Sequence, residues 1–271
     1  MNKNFILFFL IVFGVLMGID KIKIKSSLSS SIKISNEEYF RHLFYHYRSD
    51  GEIKKSNVYL VEREELPFEN KNILNVILRP LYNYAEFEFS SKDILLGKGY
   101  PNKGMSDLNY LDVLEDFNTR AKGVYEIDPI GFLESEVVSA EVFYDLPVER
   151  LDVSVEEIIR VLSLVRHRHK ETRVYGEGTF LSRSKGFSLK IYDKKRECFK
   201  KFLGAKYKKL NLNTEDTLRV EVSGKSDPKS TGLRRKYFYN KKLRDLLNRE
   251  TQYSIIMDFI NELEMPKGRN G

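Results

Sequence analysis

The alternation of apolar and polar positions predicts most of the elements in this chain. Ile22 and Ile24 alternate with lysines, as in a half-exposed strand. Ser35-Asn36-Glu37-Glu38 is a helix-opening pattern, and it predicts a helix running to about Arg48. Asn57–Glu62, Ile73–Arg79 and Tyr84–Ser90 read as strands, with Pro67, Pro80 and Asn83 in the breaks. A glycine-rich loop, Gly97–Gly104, precedes Ser106, which caps a predicted helix from Asp107 to about Lys122.

In the second half, Val148–Ser154 reads as a strand that runs directly into a helix, because Val155, Ile158, Ile159, Leu162 and Val165 keep helical spacing. Thr179–Ser184 and Gly186–Lys194 form a predicted hairpin around Ser184-Lys185-Gly186. Glu197–Leu203 can form a short helix, and Thr217–Ser223 is a further strand. Gly224–Gly232 is a polar loop, followed by a basic amphipathic helix over Leu233–Arg249. A last helix is carried by Tyr253, Ile256, Met257, Ile260 and Leu263. This order gives an α+β class: an antiparallel sheet with helices packed on one face and a mostly helical C-terminal segment. The expected divisions are an apolar segment at 1–18, an α+β domain at 19–224 and a basic helical segment at 225–271.

Three of the strands carry chemistry on one face. Side chains alternate along a strand. Phe187, Leu189 and Ile191 therefore point to the core, while Ser188, Lys190, Tyr192 and Lys194 point away. Likewise Arg219 and Glu221 oppose Leu218, Val220 and Val222, and Arg150 and Asp152 oppose Leu151 and Val153. In one sheet, the open face would offer a tyrosine, two carboxylates and several cations. That set suits phosphodiester transesterification: a phenol oxygen attacks phosphorus, carboxylates such as Asp152 and Glu221 hold Mg²⁺ or Mn²⁺, and cations hold the phosphates. The plainer alternative is a set of cross-strand ion pairs on a solvated face, in a chain with 16 tyrosines.

Composition sharpens this only in part. The 271 residues are 41% hydrophobic and 31% charged, which excludes a collagen-like, disordered or polytopic membrane chain. One cysteine, Cys198, excludes a disulfide framework and a cysteine zinc site. The net charge of +7 is uneven. From Arg166 onward there are 27 basic and 13 acidic residues, a net of +14, against −7 before it. A polyanion partner fits that asymmetry, and so does a lysine-rich surface from an AT-rich genome. Asn4–Ile19 is an uncharged apolar run, about 24 Å long as a helix against a hydrocarbon core of roughly 30 Å. It suits a signal segment, a short anchor, or translated sequence upstream of a start at Met17.

With the patterning in place, the segment Ser188–Glu197 shows Tyr-x-Lys-x-x-Glu at a strand end. It resembles the signature of the filamentous-phage gene II replication initiators and the related phage and plasmid rolling-circle initiators. Arg150-Leu151-Asp152 is similar to the family's Arg-Ile-Asp strand, and Leu218-Arg219-Val220-Glu221-Val222 to its Leu-Arg-Phe-Glu strand. Phe87-Glu88-Phe89 before Ile94–Gly97 resembles its carboxylate strand, and Met17–Ile22 its usual opening. The last match favours a start at Met17.

The resemblance implies a site-specific nickase. Tyr192 would join the 5′ phosphate at an origin, leave a 3′ hydroxyl primer and later rejoin the ends, with Lys194 and Glu197 completing its motif. It implies Asp152, Glu221 and Glu88 as candidate ligands of Mg²⁺ or Mn²⁺. Lys190, Arg150 and Arg219 would hold phosphates, and Arg234, Arg235, Lys236, Lys241 and Lys242 would dock DNA. The partners would be single-stranded or supercoiled origin DNA and a host helicase and polymerase. The setting would be the cytoplasm of a bacterial host, with a membrane segment if Met1 is the start.

No His-hydrophobic-His metal motif is present. His167-Arg168-His169 ends the predicted helix, where i and i+2 point apart. His42 and His46 have i,i+4 spacing in an aromatic helix, where packing is the commoner use. Two other functions remain: a non-catalytic DNA-binding protein on the same fold, and a membrane-tethered protein held by Asn4–Ile19.

Overall fold

The computed structural model describes residues 16–35, 40–45, 56–61, 75–79, 82–90, 104–148, 153–167, 171–175, 178–197 and 216–264. Strand β1 is Leu16–Ser27, α1 is Leu28–Ser31, and β2 is Ile32–Ile34. Then come β3 (Phe40–Tyr45), β4 (Ser56–Val61), β5 (Asn75–Arg79), β6 (Tyr84–Ser90) and α2 (Tyr110–Arg120). They are followed by β7 (Tyr125–Ile127), α3 (Pro129–Leu133), β8 (Glu136–Pro147), α4 (Val155–Leu162) and β9 (Arg166–His167). The rest are β10 (Glu171–Tyr175), β11 (Thr179–Ser184), β12 (Phe187–Asp193), β13 (Thr217–Lys225), α5 (Gly232–Phe238), α6 (Leu243–Leu247), α7 (Arg249–Asn261) and β14 (Leu263–Glu264). The expected α+β class, with antiparallel sheets and helices, is the one observed.

The chain divides into two compact units, each built from separated stretches. The first comprises Ile19–Ala140 and Lys225–Thr251. Its strands run β1-β6-β5-β4-β3. The β1–β6 register sets Ile22 opposite Phe89, Ile24 opposite Phe87 and Ser26 opposite Ala85, all buried. Their neighbours form the other face, where Lys21 bridges Glu88 at 2.8 Å, and Glu86 bridges Lys23 at 3.1 Å and Arg79 at 3.3 Å. Helix α2 buries Tyr110, Val113, Leu114 and Phe117, which is helical spacing. Phe87 meets the Phe132 ring edge-on at 5.2 Å. The Asn118 amide acts as a strand partner for Ile127, donating to its carbonyl and accepting from its N–H, both at 2.9 Å.

The second unit comprises Glu141–Gly224 and Gln252–Gly271, grouped with Met1–Gly18. Its strands run β10-β11-β12-β13-β8. One face is apolar: Phe180, Ile191 and Val220 fall in one cross-strand row, and Ser182, Leu189 and Val222 in the next. Helix α4 packs on β11 and β12 and buries Val155, Ile159 and Leu162. A capping box between Ser154 and Glu157 starts it. In α7, Phe259 stacks on Phe187 at 4.4 Å. No helix among the described residues is long and apolar enough to cross a membrane.

Several expectations change. The helix expected from Asn36 to Arg48 is not formed: Phe40–Tyr45 is strand β3, paired with β4 and setting His42 opposite Tyr59. The spacing of its aromatic residues suits either element, and the pairing with β4 decides it. The strand read at Val148–Ser154 is displaced: β8 ends at Pro147, and Val148, Val153 and Ser154 are not strand. Arg150, Leu151 and Asp152 lie outside the described residues. Helix α4 ends at Leu162, and His167 pairs with Leu263 in a short ladder rather than closing the helix. The basic helix expected over Leu233–Arg249 is two short ones, broken where Tyr239 is extended and Asn240 takes φ +52°. The apolar stretch before Leu16, His46, His169 and Cys198 also lie outside the described residues.

Gly131 reports how closely α1 and α3 approach. A Cβ there would sit 1.8 Å from the Ser30 carbonyl oxygen, which is backbone and cannot swing away. Gly131→Ala is expected to cost about 1–3 kcal/mol, as overpacking does. An unchanged urea midpoint would show that the two helices are not in such contact.

Candidate functional site

The site lies on the face of the second unit opposite its apolar core. The β12–β13 register pairs Tyr192 with Arg219 and Lys190 with Glu221, so these four side chains share one face. The sequence expectation of a shared face therefore holds for them. The expectation that the face is open does not. Tyr192 is 2% exposed, Arg219 0% and Glu221 6%. Both faces of β13, and of β8 from Val142 to Leu146, are buried, which makes them interior strands. Alternation tells which residues share a side, but not which side water reaches.

Buried charges need partners, and these have them. Arg219 donates from Nε to Asp145 Oδ1 and from Nη2 to Asp145 Oδ2, each at 2.6 Å. Its guanidinium also lies 3.9 Å from the Phe143 ring centre. Asp145 and Phe143 alternate on β8 with Glu141, so all three point to the same side. The carboxylate oxygens of Glu141 and Glu221 lie within 4.8 Å of each other.

Two lysines attend Tyr192. Lys190 Nζ is 3.8 Å from its ring centre, and 3.6 Å from Glu221 Oε2. Lys194 Nζ is 5.7 Å from the same ring and donates to Glu197 at 2.7 Å. A helical turn at 194–197 makes this possible. Asp193 caps it by accepting from the Arg196 N–H at 2.8 Å. The Tyr-x-Lys-x-x-Glu spacing thus sets Lys194 near the Tyr192 ring with Glu197 bonded to it, and Lys194 is 2% exposed. On β8 of the same unit, burial, then the nearby Tyr253, pushes the Tyr144 phenol up to about 12.

The chemistry of the donor set fits a hard divalent cation. Glu221 Oε2 is buried with no hydrogen-bond partner, and Glu141 supplies a second carboxylate at bridging distance. Glu221 stands out in the sequence. Glu141 and Asp145 do not, because β8 carries apolar residues on both faces and shows no clean alternation.

Other expected residues lie elsewhere. Glu88 stands on the lysine–glutamate face of the first unit, and its hydrogen bond from Lys21 holds its carboxyl below the usual range. Arg234 bridges Asp227 at 2.7 Å. Arg235 donates to the Pro228 carbonyl and lies over Tyr239, and Lys236 lies over Tyr237. Lys241 and Lys242 flank the start of α6, where the Lys241 carbonyl accepts from the Val137 N–H at 2.8 Å.

No family model matches the chain, and no curated protein matches it. Among solved structures, the rolling circle replication initiator protein from Geobacillus stearothermophilus is similar to it over 78% of this chain and 75% of that one, with 10% identity and a TM-score of 0.37.

Asp145→Asn removes the counter-charge of a fully buried guanidinium. It is expected to lower stability by about 3–5 kcal/mol, read as a shift in urea midpoint. Arg219→Met with Asp145→Leu, which buries no charge, should recover most of that loss. Equal losses in the single and double variants would show that the fork is not what holds β13 to β8.

Proposed function

We propose that the chain is a DNA-nicking enzyme of the rolling-circle initiator kind, with Tyr192 as its nucleophile. The observation that carries this reading is the placement of Tyr192 between Lys190 and Lys194 on the face that also holds the Glu141–Glu221 pair. The sequence resemblance around Tyr192 and Arg219 agrees with it. So does the +14 charge of the chain from Arg166 onward.

In this reading the Tyr192 phenol oxygen forms a bond to phosphorus as the bond from phosphorus to the 3′ oxygen breaks. The phenol gives up its proton, and the departing 3′ oxygen gains one to become a hydroxyl. Lys190 and Lys194 place positive charge against the ring of Tyr192, over which a phenolate spreads part of its negative charge. Lys194 is itself held by Glu197, so its ammonium is fixed before substrate arrives. Arg219 positions the strand that presents Glu221 and is not a solvent-facing phosphate clamp, because both of its forked donors are on Asp145. Glu141 and Glu221 are the residues that would hold Mg²⁺ or Mn²⁺, which supplies polarisation of the phosphate when bound. Reversal of the same transfer rejoins the ends.

The 2% exposure of Tyr192 favours a second reading, in which the face is structural and the protein binds DNA without cutting it. The two differ in one product. Incubation with Mn²⁺ and single-stranded DNA flanking its own gene should yield a protein–DNA adduct that survives denaturant. Tyr192→Phe should abolish it. Glu221→Gln and Glu141→Gln should each reduce it by about 100-fold or more, the scale of losing a metal ligand or its support. An adduct of wild-type yield from Tyr192→Phe would remove the nucleophile assignment, and no adduct from the wild type would leave the binding-only reading.

A further inference from the structure

The face that holds Tyr192 continues across two more strands, and it comes into the open as it does so. Thr179 of β11 pairs with Tyr192, and Tyr175 of β10 pairs with Thr179. Leu181 pairs with Lys190, and Arg173 pairs with Leu181. Tyr175 and Arg173 are therefore on the same face as Tyr192 and Lys190, two strand spacings or roughly 10 Å away. Exposure rises along the row from 2% at Tyr192, through a half-buried Thr179, to 47% at Tyr175.

The outer end of this row has a built character. The Arg173 guanidinium pairs with Glu171, two residues back on the same face of β10. Arg183 pairs with Glu171 at 3.0 Å on the same face. Tyr175 and Arg173 thus share the exposed end of the row, and Glu171 lies between Arg173 and Arg183 further along the same face.

We infer that Tyr175, with Arg173 and Arg183, is a stacking platform for a base of single-stranded DNA, next to the phosphate that Tyr192 attacks. An aromatic ring offers a sequence-tolerant surface to any base, and the arginines meet the adjoining phosphates. The platform extends the proposed nicking site outward along its own face, and it rests on that reading for the identity of the inner residue. It gives the substrate strand a route from the exposed edge of the sheet towards Tyr192. Val174, between Arg173 and Tyr175, is also exposed but points to the opposite face, so it provides an internal control.

The test measures binding of a fluorescein-labelled oligothymidylate of about 12 nucleotides to the full chain by anisotropy, alongside the adduct assay. Tyr175→Ala should weaken binding by about 5- to 150-fold, Tyr175→Phe and Val174→Ala by less than about twofold. Arg173→Ala should lower the log–log salt slope by about 0.7, the share of one phosphate on a single strand. Tyr175→Ala binding the oligonucleotide as the wild type does, or no binding by the wild type, overturns the platform. If the wild type forms the adduct while Tyr175→Ala binds normally, the platform fails and the nicking reading stands. If Tyr175→Ala alone loses binding and no protein forms an adduct, the platform stands and the nicking reading fails.

Discussion

A guanidinium with no exposure to water has to find its counter-charge inside the protein, and for Arg219 that charge is Asp145. Removing two ions from water costs several kcal/mol each, and only a geometry that satisfies both brings it back. The planar fork of arginine on both carboxylate oxygens is such a geometry. It also fixes β13 against β8 at one place. With that place set, Glu221, two residues along β13, comes to the same side as Glu141 on β8, and Tyr192 comes to stand across from Arg219. A slip of one residue would turn each of these side chains to the opposite face. The ion pair is thus the feature on which the arrangement around Tyr192 depends.

The two faces of this sheet are held in different ways. The apolar side is packed by α4 and α7, and its rows of Phe180, Ile191 and Val220 tolerate repacking as any core does. The polar side is a chain of charges in which each member has a named neighbour: Glu197 with Lys194, Lys190 with Glu221, Arg219 with Asp145. Lys190 and Lys194 also share the ring of Tyr192. Such a network fixes positions sharply, since any one loss leaves a buried charge behind.

Much of this arrangement is legible in the amino-acid sequence. The hairpin of β11 and β12 and the strand β13 show period-two alternation with a clear turn, so their register and shared face can be read directly. The start of α4 is read from the helical spacing after Val155, although Ser154, which the pattern makes the end of a strand, is in fact the cap of that helix. Phe40–Tyr45 reads as helix although it is strand, because its aromatic spacing fits both elements. Asn240 breaks the basic helix through a left-handed backbone that asparagine tolerates, a signal too weak to outweigh the amphipathic pattern around it. Strand β8 escapes the pattern because it is buried on both sides over Val142–Leu146 and so lacks alternation, and Glu141 and Asp145 are hidden with it. Burial of the polar face is not legible either. It depends on what lies over the sheet, and alternation records only the two sides of a strand.

The order in which the chain supplies its units has a consequence for how the protein is made. The first unit is begun by β1 and closed only when α5 and α6 have emerged, after nearly all of the second unit has been synthesised. The second is closed later still, when α7 brings Phe259 onto Phe187. A ribosome therefore carries two incomplete cores at once, and neither finishes before the other is largely present. Contacts between such distant stretches form slowly and leave apolar strands uncovered in the meantime. A chain released after β13 would bear the tyrosine strand and both of its lysines, yet lack one of the two helices that cover the sheet behind them. Translation to the end of α7 is thus the step that separates an aggregation-prone fragment from a folded protein.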